Sequence, residues 1–140
     1  MTGIFVIIQF LCIGLLLWPF SPIQHIGGSL FVLLGLMIGY AAVRAQPRGN
    51  FNIRPDLKEN AVLVTGGIYR YIRHPMYSGV LTATLGFVVL YASRGKIFLY
   101  VILLINMILK LLHEEKLWHR RDNAYLLYSR RTKRLIPFIF

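Results

Sequence analysis

The sequence predicts an all-α integral membrane protein, a bundle of four transmembrane helices. Three observations predict this fold class: 56% of the 140 residues are hydrophobic, the mean hydropathy is +0.60, and four apolar segments approach the length needed to cross a bilayer. So short a chain is filled by four spans and their connections, so we expect one domain, residues 1–140. Residues 113–140 follow the last apolar segment and are expected to form a helical, cytoplasmic tail.

The four predicted spans are residues 3–20, 23–43, 75–92 and 97–112. At about 1.5 Å per residue, segments of this length reach roughly 24 to 31 Å. Pro19 and Pro22 separate the first two segments, and Trp18 and Phe20 suit the interfacial depth, which predicts a tight helical hairpin. The first segment lacks the basic start and the small-residue cleavage site of a signal peptide, so we expect it to be retained.

Charge predicts the partner and the orientation. Sixteen Lys and Arg stand against five Asp and Glu, a net charge of +11, and in so apolar a chain this favours membrane lipid and not nucleic acid as the partner. All the cations except Arg94 and Lys96 fall on one side of the predicted bundle. The positive-inside rule then places both termini and the central loop in the cytoplasm, in a membrane of the inner-membrane or endoplasmic-reticulum type.

Small residues predict how two of the helices pack. Gly35 and Gly39 have the spacing that lets membrane helices approach closely, and the third segment offers Gly79, Ala83 and Gly86. We expect close packing within one chain. A dimer through this seam is the alternative, so a monomer is expected and a dimer stays open.

No disulfide or metal site is expected. The single cysteine, Cys12, lies in an apolar run and has no partner. The histidines show no metal-ligand pattern, because in the stretch HEEKLWH the rings of His113 and His119 do not share one face of a helix.

The stretch YRYIRHPMY, residues 69–77, is a polar and aromatic island in the apolar chain. Gly66-Gly67 predicts a turn before it, and His74-Pro75 predicts a helix start, since proline in the first turn lacks only an N–H that has no helical partner. The stretch should place Tyr69, His74 and Tyr77 at the cytoplasmic mouth of the third span. An interfacial belt that only anchors the helix is the alternative interpretation.

The fourth span carries a polar stripe. Asn106, Lys110 and Glu114 recur every fourth residue and so share one face of a helix. Polar groups at membrane depth are costly unless they face a partner or a watery cavity, so the stripe is predicted to face a site. In the alternative interpretation Lys110 reaches the headgroups and pairs with Glu114, while Asn106 bonds a neighbouring helix.

Residues 49–138 resemble the isoprenylcysteine carboxyl methyltransferase family of integral membrane enzymes, to which phospholipid N-methyltransferases are related. The resemblance rests on LVTGGIYRYIRHPMYSG, on the glutamate pair of HEEKLW and on AYLLYSRRTKRLIPF. It implies S-adenosylmethionine as methyl donor, bound on the cytoplasmic side in a pocket that the loop and tail complete. The cofactor-binding residues that it implies are Val62, Leu63, Val64, Tyr69, His74, Pro75, Met76, Tyr77 and Glu114.

The resemblance also implies an acceptor. Methyl transfer from a sulfonium needs orientation and no nucleophilic side chain. A lipophilic or lipidated carboxylate, of the isoprenylcysteine type, needs only a cation to hold it, and Lys110 and Arg130 are the candidates. An amine acceptor, in a phospholipid or a small lipophilic molecule, would need a base among Glu114, Glu115 and His74.

The sequence leaves alternatives at two positions of this resemblance and for the function. The stretch RRDNAY leaves Asp122 and Ala124 where the family usually has acidic residues before the first tail tyrosine, and the register of Glu114 against Glu115 is not fixed. A non-catalytic four-span scaffold or transporter is the alternative to an enzyme.

Overall fold

The fold is all-helical, as the sequence predicts. The structure, a computed structural model, describes residues 2–19, 22–50 and 52–140, and within these ranges it contains α-helices, a 3-10 turn at Gly67–Arg70 and no strand. The helices are α1 Thr2–Leu17, α2 Gly28–Ala45, α3 Pro75–Leu90, α4 Arg94–Arg121 and α5 Asn123–Arg131.

Two of these helices, α2 and α4, are long and apolar enough to cross a membrane. The other two apolar helices, α1 and α3, have 16 residues each. The first predicted span reached Phe20, which lies outside the described residues. Helix α2 starts at Gly28 and not at residue 23, because the residues before it run along the end of α3, where the Gln24 N–H donates to the Leu90 carbonyl over 2.8 Å.

Helix α4 does not stop at residue 112, where its predicted span ended. It continues through a polar run to Arg121, and Asp122, in an extended conformation, separates it from α5. The Asp122 carboxylate accepts a bond from the Ala124 N–H over 2.8 Å, which caps the N-terminus of α5. Exposed large apolar side chains on α4 stop at Leu112, so the helix has an apolar shaft and a polar foot.

Helices α2 and α3 pack antiparallel through their glycines. A Cβ added at Gly35 would lie 2.6 Å from the Gly79 carbonyl oxygen, and one at Gly28 would lie 2.5 Å from that of Gly86. No side chain fits at this separation, so the backbones themselves are in contact. The predicted close packing within one chain is confirmed.

Helix α1 packs against α4. Leu16 of α1 and Leu103, Met107 and Leu111 of α4 are fully buried in the core. The Asn106 side-chain amide donates to the Phe5 carbonyl over 3.0 Å. The alternative interpretation, in which Asn106 bonds a neighbouring helix, is therefore confirmed, and the prediction that Asn106 faces a site is wrong because it borders neither described cavity.

Lys96 closes the other end of this helix pair. Its ammonium group donates to the Leu16 carbonyl at 2.6 Å and to the Trp18 carbonyl at 2.9 Å. These carbonyls belong to the C-terminal end of α1, where no helical N–H reaches them, and a cation there also suits the helix dipole.

The contact between α2 and α3 predicts opposite effects for one substitution at two glycines of the same motif. Gly35→Ala should destabilise the folded protein by roughly 1–3 kcal/mol, because the new methyl group meets the backbone of α3. Gly39→Ala is the matched control. A Cβ there has nothing within 4 Å, so the better helix propensity of alanine should leave stability unchanged or raised. Thermal unfolding in detergent measures both, and equal effects would contradict this packing.

Candidate active site

The segment before α3 is held against the C-terminal tail by backbone bonds. Gly67 begins the 3-10 turn with a φ of 58°, which glycine adopts without steric cost. His74 is the N-cap residue of α3, and Pro75 lies in the first turn of that helix. The Arg73 N–H donates to the Lys133 carbonyl over 2.7 Å, and the His74 N–H donates to the Arg134 carbonyl over 3.0 Å. The tail therefore fixes where the side chains of Arg73 and His74 begin.

A buried carboxylate joins this segment and the tail to the foot of α4. Glu115 is 4% exposed. It accepts bonds from Arg73 Nε at 2.8 Å and Arg134 Nε at 2.9 Å. Arg73 Nη1 also donates to the carbonyls of Ser129 and Thr132. We call Arg73, Glu115 and Arg134 the buried clasp, and its role is to join three parts of the chain.

Glu114 points away from Glu115, toward Tyr77 and His74. Its Oε1 accepts a bond from the Tyr77 hydroxyl over 2.8 Å, and its Oε2 lies 3.4 Å from His74 Nδ1. Glu114 borders a cavity, whereas Glu115 belongs to the buried clasp. Adjacent residues differ by about 100° around a helix, so the two carboxylates serve different neighbours.

His74 lies between the two carboxylates. Burial alone would lower the pKa of His74, but Glu114 and Glu115 outweigh it, so the pKa stands above its ordinary value. Its ring stacks on Tyr77 with centroids 5.5 Å apart. His74 Nε2 is 3.4 Å from Glu115 Oε1, close enough for an ion pair but without the geometry of a hydrogen bond. The attraction between them is therefore mainly charge on charge.

A cavity with many polar side chains in its wall opens beside these residues, and we call it the polar cavity. It lies between the loop of residues 46–64, the start of α3, the foot of α4 and helix α5. Its side chains include the carboxylate of Glu114 and the rings of Tyr69, Tyr77, Trp118, Tyr125 and Tyr128. Burial raises the pKa of Tyr69, Tyr125 and Tyr128, so these hydroxyls stay neutral.

Side-chain amides of the loop complete one wall of the polar cavity. Asn50 Nδ2 donates to Gln46 Oε1 over 2.6 Å, and Gln46 Nε2 donates to the Tyr69 hydroxyl oxygen over 2.8 Å. Asn50 also exchanges two bonds with the backbone of Val62, at 2.9 and 3.0 Å. The loop is thereby closed on itself, with Val62, Leu63 and Val64 along the cavity.

A second cavity, which we call the apolar cavity, lies between α1, α2 and α3. Its volume is about 440 Å³, within the range of small-molecule sites. Its polar side chains include Gln9 and Lys110, and Lys110 is 1% exposed. The two cavities have Asn52, Met76 and Tyr77 in common. They are therefore neighbours on either side of the first turn of α3.

The model of the phospholipid methyltransferase family matches residues 23–121, which include α2, α3, α4 and the loop of the polar cavity. The chain belongs to the phospholipid methyltransferase family. This family and the isoprenylcysteine carboxyl methyltransferases fall in one superfamily, so the resemblance seen in the sequence is confirmed at that level. No curated protein matches the chain. The protein is a membrane methyltransferase, and its family implies S-adenosylmethionine as methyl donor.

Most residues that the sequence indicated for this methyltransferase lie together. Those that border the polar cavity are Val62, Leu63, Val64, Tyr69, His74, Met76, Tyr77 and Glu114. Pro75 is fully buried beneath them at the start of α3. Lys110 borders the apolar cavity and does not reach the headgroups, since its ammonium donates to Gln9 Oε1 over 2.7 Å. The alternative in which Lys110 reaches the headgroups and pairs with Glu114 is therefore wrong, since Lys110 is buried and bonded to Gln9.

Arg130 lies away from both cavities. It is exposed on α5, and it is absent from the described lining of both cavities. Tyr125 and Tyr128 occupy the face of α5 toward the polar cavity, and Arg130 follows Tyr128 by about 200° around the helix. Arg73 and Arg134 are the arginines that pair with a carboxylate near the site, and both pair with Glu115.

Sequence reasoning missed the buried clasp and the loop amides. Arg73 lies within the polar and aromatic island, but nothing in its spacing showed that its partner is Glu115 on α4. Gln46, Asn50 and Asn52 belong to no motif. Gln9 was missed because a single amide in an apolar helix was not read as a polar signal.

The buried clasp predicts a large cost for removing its carboxylate. Glu115→Gln should destabilise the protein by roughly 3 kcal/mol or more, because the buried charge of Arg73 loses its counter-charge and the partly exposed Arg134 loses its partner. Glu59→Gln makes the same change at an exposed position and should have little effect. Thermal unfolding in detergent compares the two variants. A Glu115→Gln protein as stable as Glu59→Gln would contradict the role of the buried clasp.

The raised pKa of His74 predicts how its contribution to stability depends on pH. A group whose folded pKa is raised stabilises fully below its unfolded pKa, about 6.5, and loses that contribution as pH rises through the folded value. The difference in melting temperature between wild type and His74→Gln should therefore be largest near about pH 6 and shrink above it. A difference that grows with pH would contradict the pairing of His74 with Glu114 and Glu115.

Proposed function

We propose that the chain binds S-adenosylmethionine in the polar cavity and methylates the polar end of a lipophilic acceptor held in the apolar cavity. The observation that carries this proposal is the shared wall: Asn52, Met76 and Tyr77 border both cavities. A donor on one side and an acceptor on the other would meet at the first turn of α3. The same arrangement would let the polar donor enter from water and the acceptor from lipid.

The residues of the polar cavity fit the chemistry of the donor. Glu114 offers a carboxylate to an ammonium or to ribose hydroxyls, and the faces of Tyr69 and Tyr77 suit a sulfonium. Val62, Leu63 and Val64 add an apolar wall and backbone polar groups for a flat base. When bound, S-adenosylmethionine supplies a methyl group whose bond to sulfur breaks as its bond to the acceptor forms, leaving a neutral thioether.

The chain's contribution would be orientation and exclusion of water. Burial of His74 and its stacking on Tyr77 fix the first turn of α3, and the hydrogen bond from Tyr77 to Glu114 fixes the wall between the cavities. Orientation of this kind supplies roughly 7–11 kcal/mol of barrier reduction in favourable cases. No general base is required if the acceptor is a carboxylate, which is ionised at neutral pH.

Lys110 supports a carboxylate acceptor of the isoprenylcysteine type. It is a buried cation beside an apolar cavity, with its ammonium 5.1 Å from the centre of the Tyr77 ring. An acceptor carboxylate bound there would meet Lys110 close to the wall that the two cavities share. Arg130 is not carried into this role, because it is exposed on α5.

A phospholipid amine is the second candidate acceptor, and the description of the matched family favours it. An amine must lose its proton, and Glu114 and His74 border the polar cavity as potential bases. Incubation of the protein with labelled S-adenosylmethionine and membrane lipid extract separates the two. Mild alkali releases the label from a methyl ester and leaves a methylated amine intact.

We extend the proposal to four spans in one domain, with both termini and the polar cavity in the cytoplasm. Helices α1 and α3, at about 24 Å, are short for a bilayer but lie beside α4 and α2. All cations except Arg94 and Lys96 lie on the proposed cytoplasmic side. Labelling of single cysteines placed at Glu59 and Arg94 from each side should show opposite accessibility, and equal accessibility would contradict this arrangement.

Donor binding predicts a specific loss at Tyr77. Purified protein in detergent should bind S-adenosylmethionine saturably, and Tyr77→Phe should weaken binding by roughly tenfold or more, because Glu114 loses the hydrogen bond that orients it. Tyr100→Phe is the matched control, since its hydroxyl contacts only the Leu81 carbonyl among the described partners, at 3.3 Å. Titration calorimetry measures all three proteins. Absence of saturable binding by the folded wild type would overturn the proposed function.

A further inference from the structure

A buried pair of side chains joins α1 to the apolar cavity. Gln9 is 8% exposed and Lys110 is 1% exposed, and the Lys110 ammonium donates to Gln9 Oε1 over 2.7 Å. Both border the apolar cavity together with Tyr77. Gln9 lies outside residues 23–121, so the family match does not extend to it.

Lys110 has another neighbour that it does not bind. Glu114 follows it by four residues on α4, the spacing at which a lysine and a glutamate readily pair on a helix. Yet among the described residues no carboxylate lies within ion-pair distance of Lys110, and Glu114 instead accepts from Tyr77. The bond to Gln9 thus keeps the cation on the side of the apolar cavity and leaves Glu114 to the polar cavity.

A buried cation without a carboxylate at ion-pair distance is costly, and an anion that enters the cavity and pairs with it reduces that cost. The ammonium group has three donors, and Gln9 takes one of them. The remaining donors and the apolar walls together suit a molecule with a long apolar body and an anionic end. A neutral or cationic end would leave Lys110 without an ion-pair partner.

We propose that Gln9 is a positioning residue that holds Lys110 toward the apolar cavity, and that the cavity thereby selects long-chain amphiphiles with an anionic polar end. This inference rests on the proposed function, in which the apolar cavity holds the acceptor. It adds a residue of α1 to the site and names the charge of the ligand. A carboxylate and a lipid phosphate share this chemistry.

The test uses the full-length protein in phosphatidylcholine nanodiscs and a palmitate that carries a diazirine on its chain. After irradiation, mass spectrometry locates the label, and unlabelled palmitate, hexadecanol, hexadecylamine and phosphatidate compete at equal mole fractions at mildly alkaline pH. In wild type the label should map to the apolar cavity, and palmitate should compete about tenfold better than hexadecanol, as a charge-assisted hydrogen bond predicts. Stronger competition by phosphatidate than by palmitate would assign the anion as a phosphate and also support the inference.

Two variants of Gln9 separate positioning from packing. Gln9→Leu removes the bond, so the anion preference should fall to about twofold or less, and S-adenosylmethionine should bind more weakly because Lys110 is free to pair with Glu114. Gln9→Glu holds Lys110 in place but neutralises it, so the anion preference should vanish while donor binding stays as in wild type. If Gln9 only filled space, Gln9→Glu should impair both measurements more than Gln9→Leu does, since a buried carboxylate disturbs packing more than leucine does. Gln24→Leu makes the same change at an exposed position and should alter neither measurement.

An unchanged anion preference in Gln9→Leu overturns the inference, as does wild-type label outside the apolar cavity. If Gln9→Leu does not fold, a retained anion preference in Gln9→Glu overturns it as well. Calorimetric binding of S-adenosylmethionine to the same preparations reports on the proposed function separately. If the donor binds but the anion preference is absent, only the inference about Gln9 and Lys110 is overturned. If wild type does not bind the donor, the proposed function itself is overturned.

Discussion

The buried Glu115 carboxylate is the contact on which the arrangement of the site depends. It accepts from Arg73 before α3 and from Arg134 in the tail, while it stands on the foot of α4. Three segments far apart in sequence are joined at one carboxylate that is almost fully buried. A buried ion pair of this kind adds little net stability over an apolar contact, but losing one partner is costly, so its effect is to enforce one geometry.

That geometry gives two adjacent glutamates separate tasks. With Glu115 committed to the buried clasp, Glu114 is left facing the polar cavity, where Tyr77 orients it. The bond between Gln9 and Lys110 has a parallel effect one turn earlier on α4, since it directs a cation into the apolar cavity. Helix α4 therefore presents the Glu114 carboxylate to the polar cavity and the Lys110 ammonium to the apolar cavity, on either side of Tyr77.

Sequence reasoning reached the parts of this arrangement that local rules determine. The proline of His74-Pro75 predicted the start of α3, and the spacing of Gly35 and Gly39 predicted the close approach of α2 to α3. It did not reach contacts between distant segments. No local pattern shows that Arg73 meets Glu115 or that Gln9 meets Lys110, because such pairing depends on how the helices are placed in space. The candidate role of Arg130 has the same origin: the motif gave its position in the sequence but not the face of α5 on which it lies.

In the proposed function, donor and acceptor meet at Tyr77, between the polar cavity and the apolar cavity. An experimental structure of the protein in lipid with S-adenosylhomocysteine, the demethylated donor, tests it most directly. The sulfur atom should lie against the wall formed by Tyr77 and Met76 and face the apolar cavity. A sulfur atom that faces the cytosol, or a nucleoside bound away from Glu114, would contradict it.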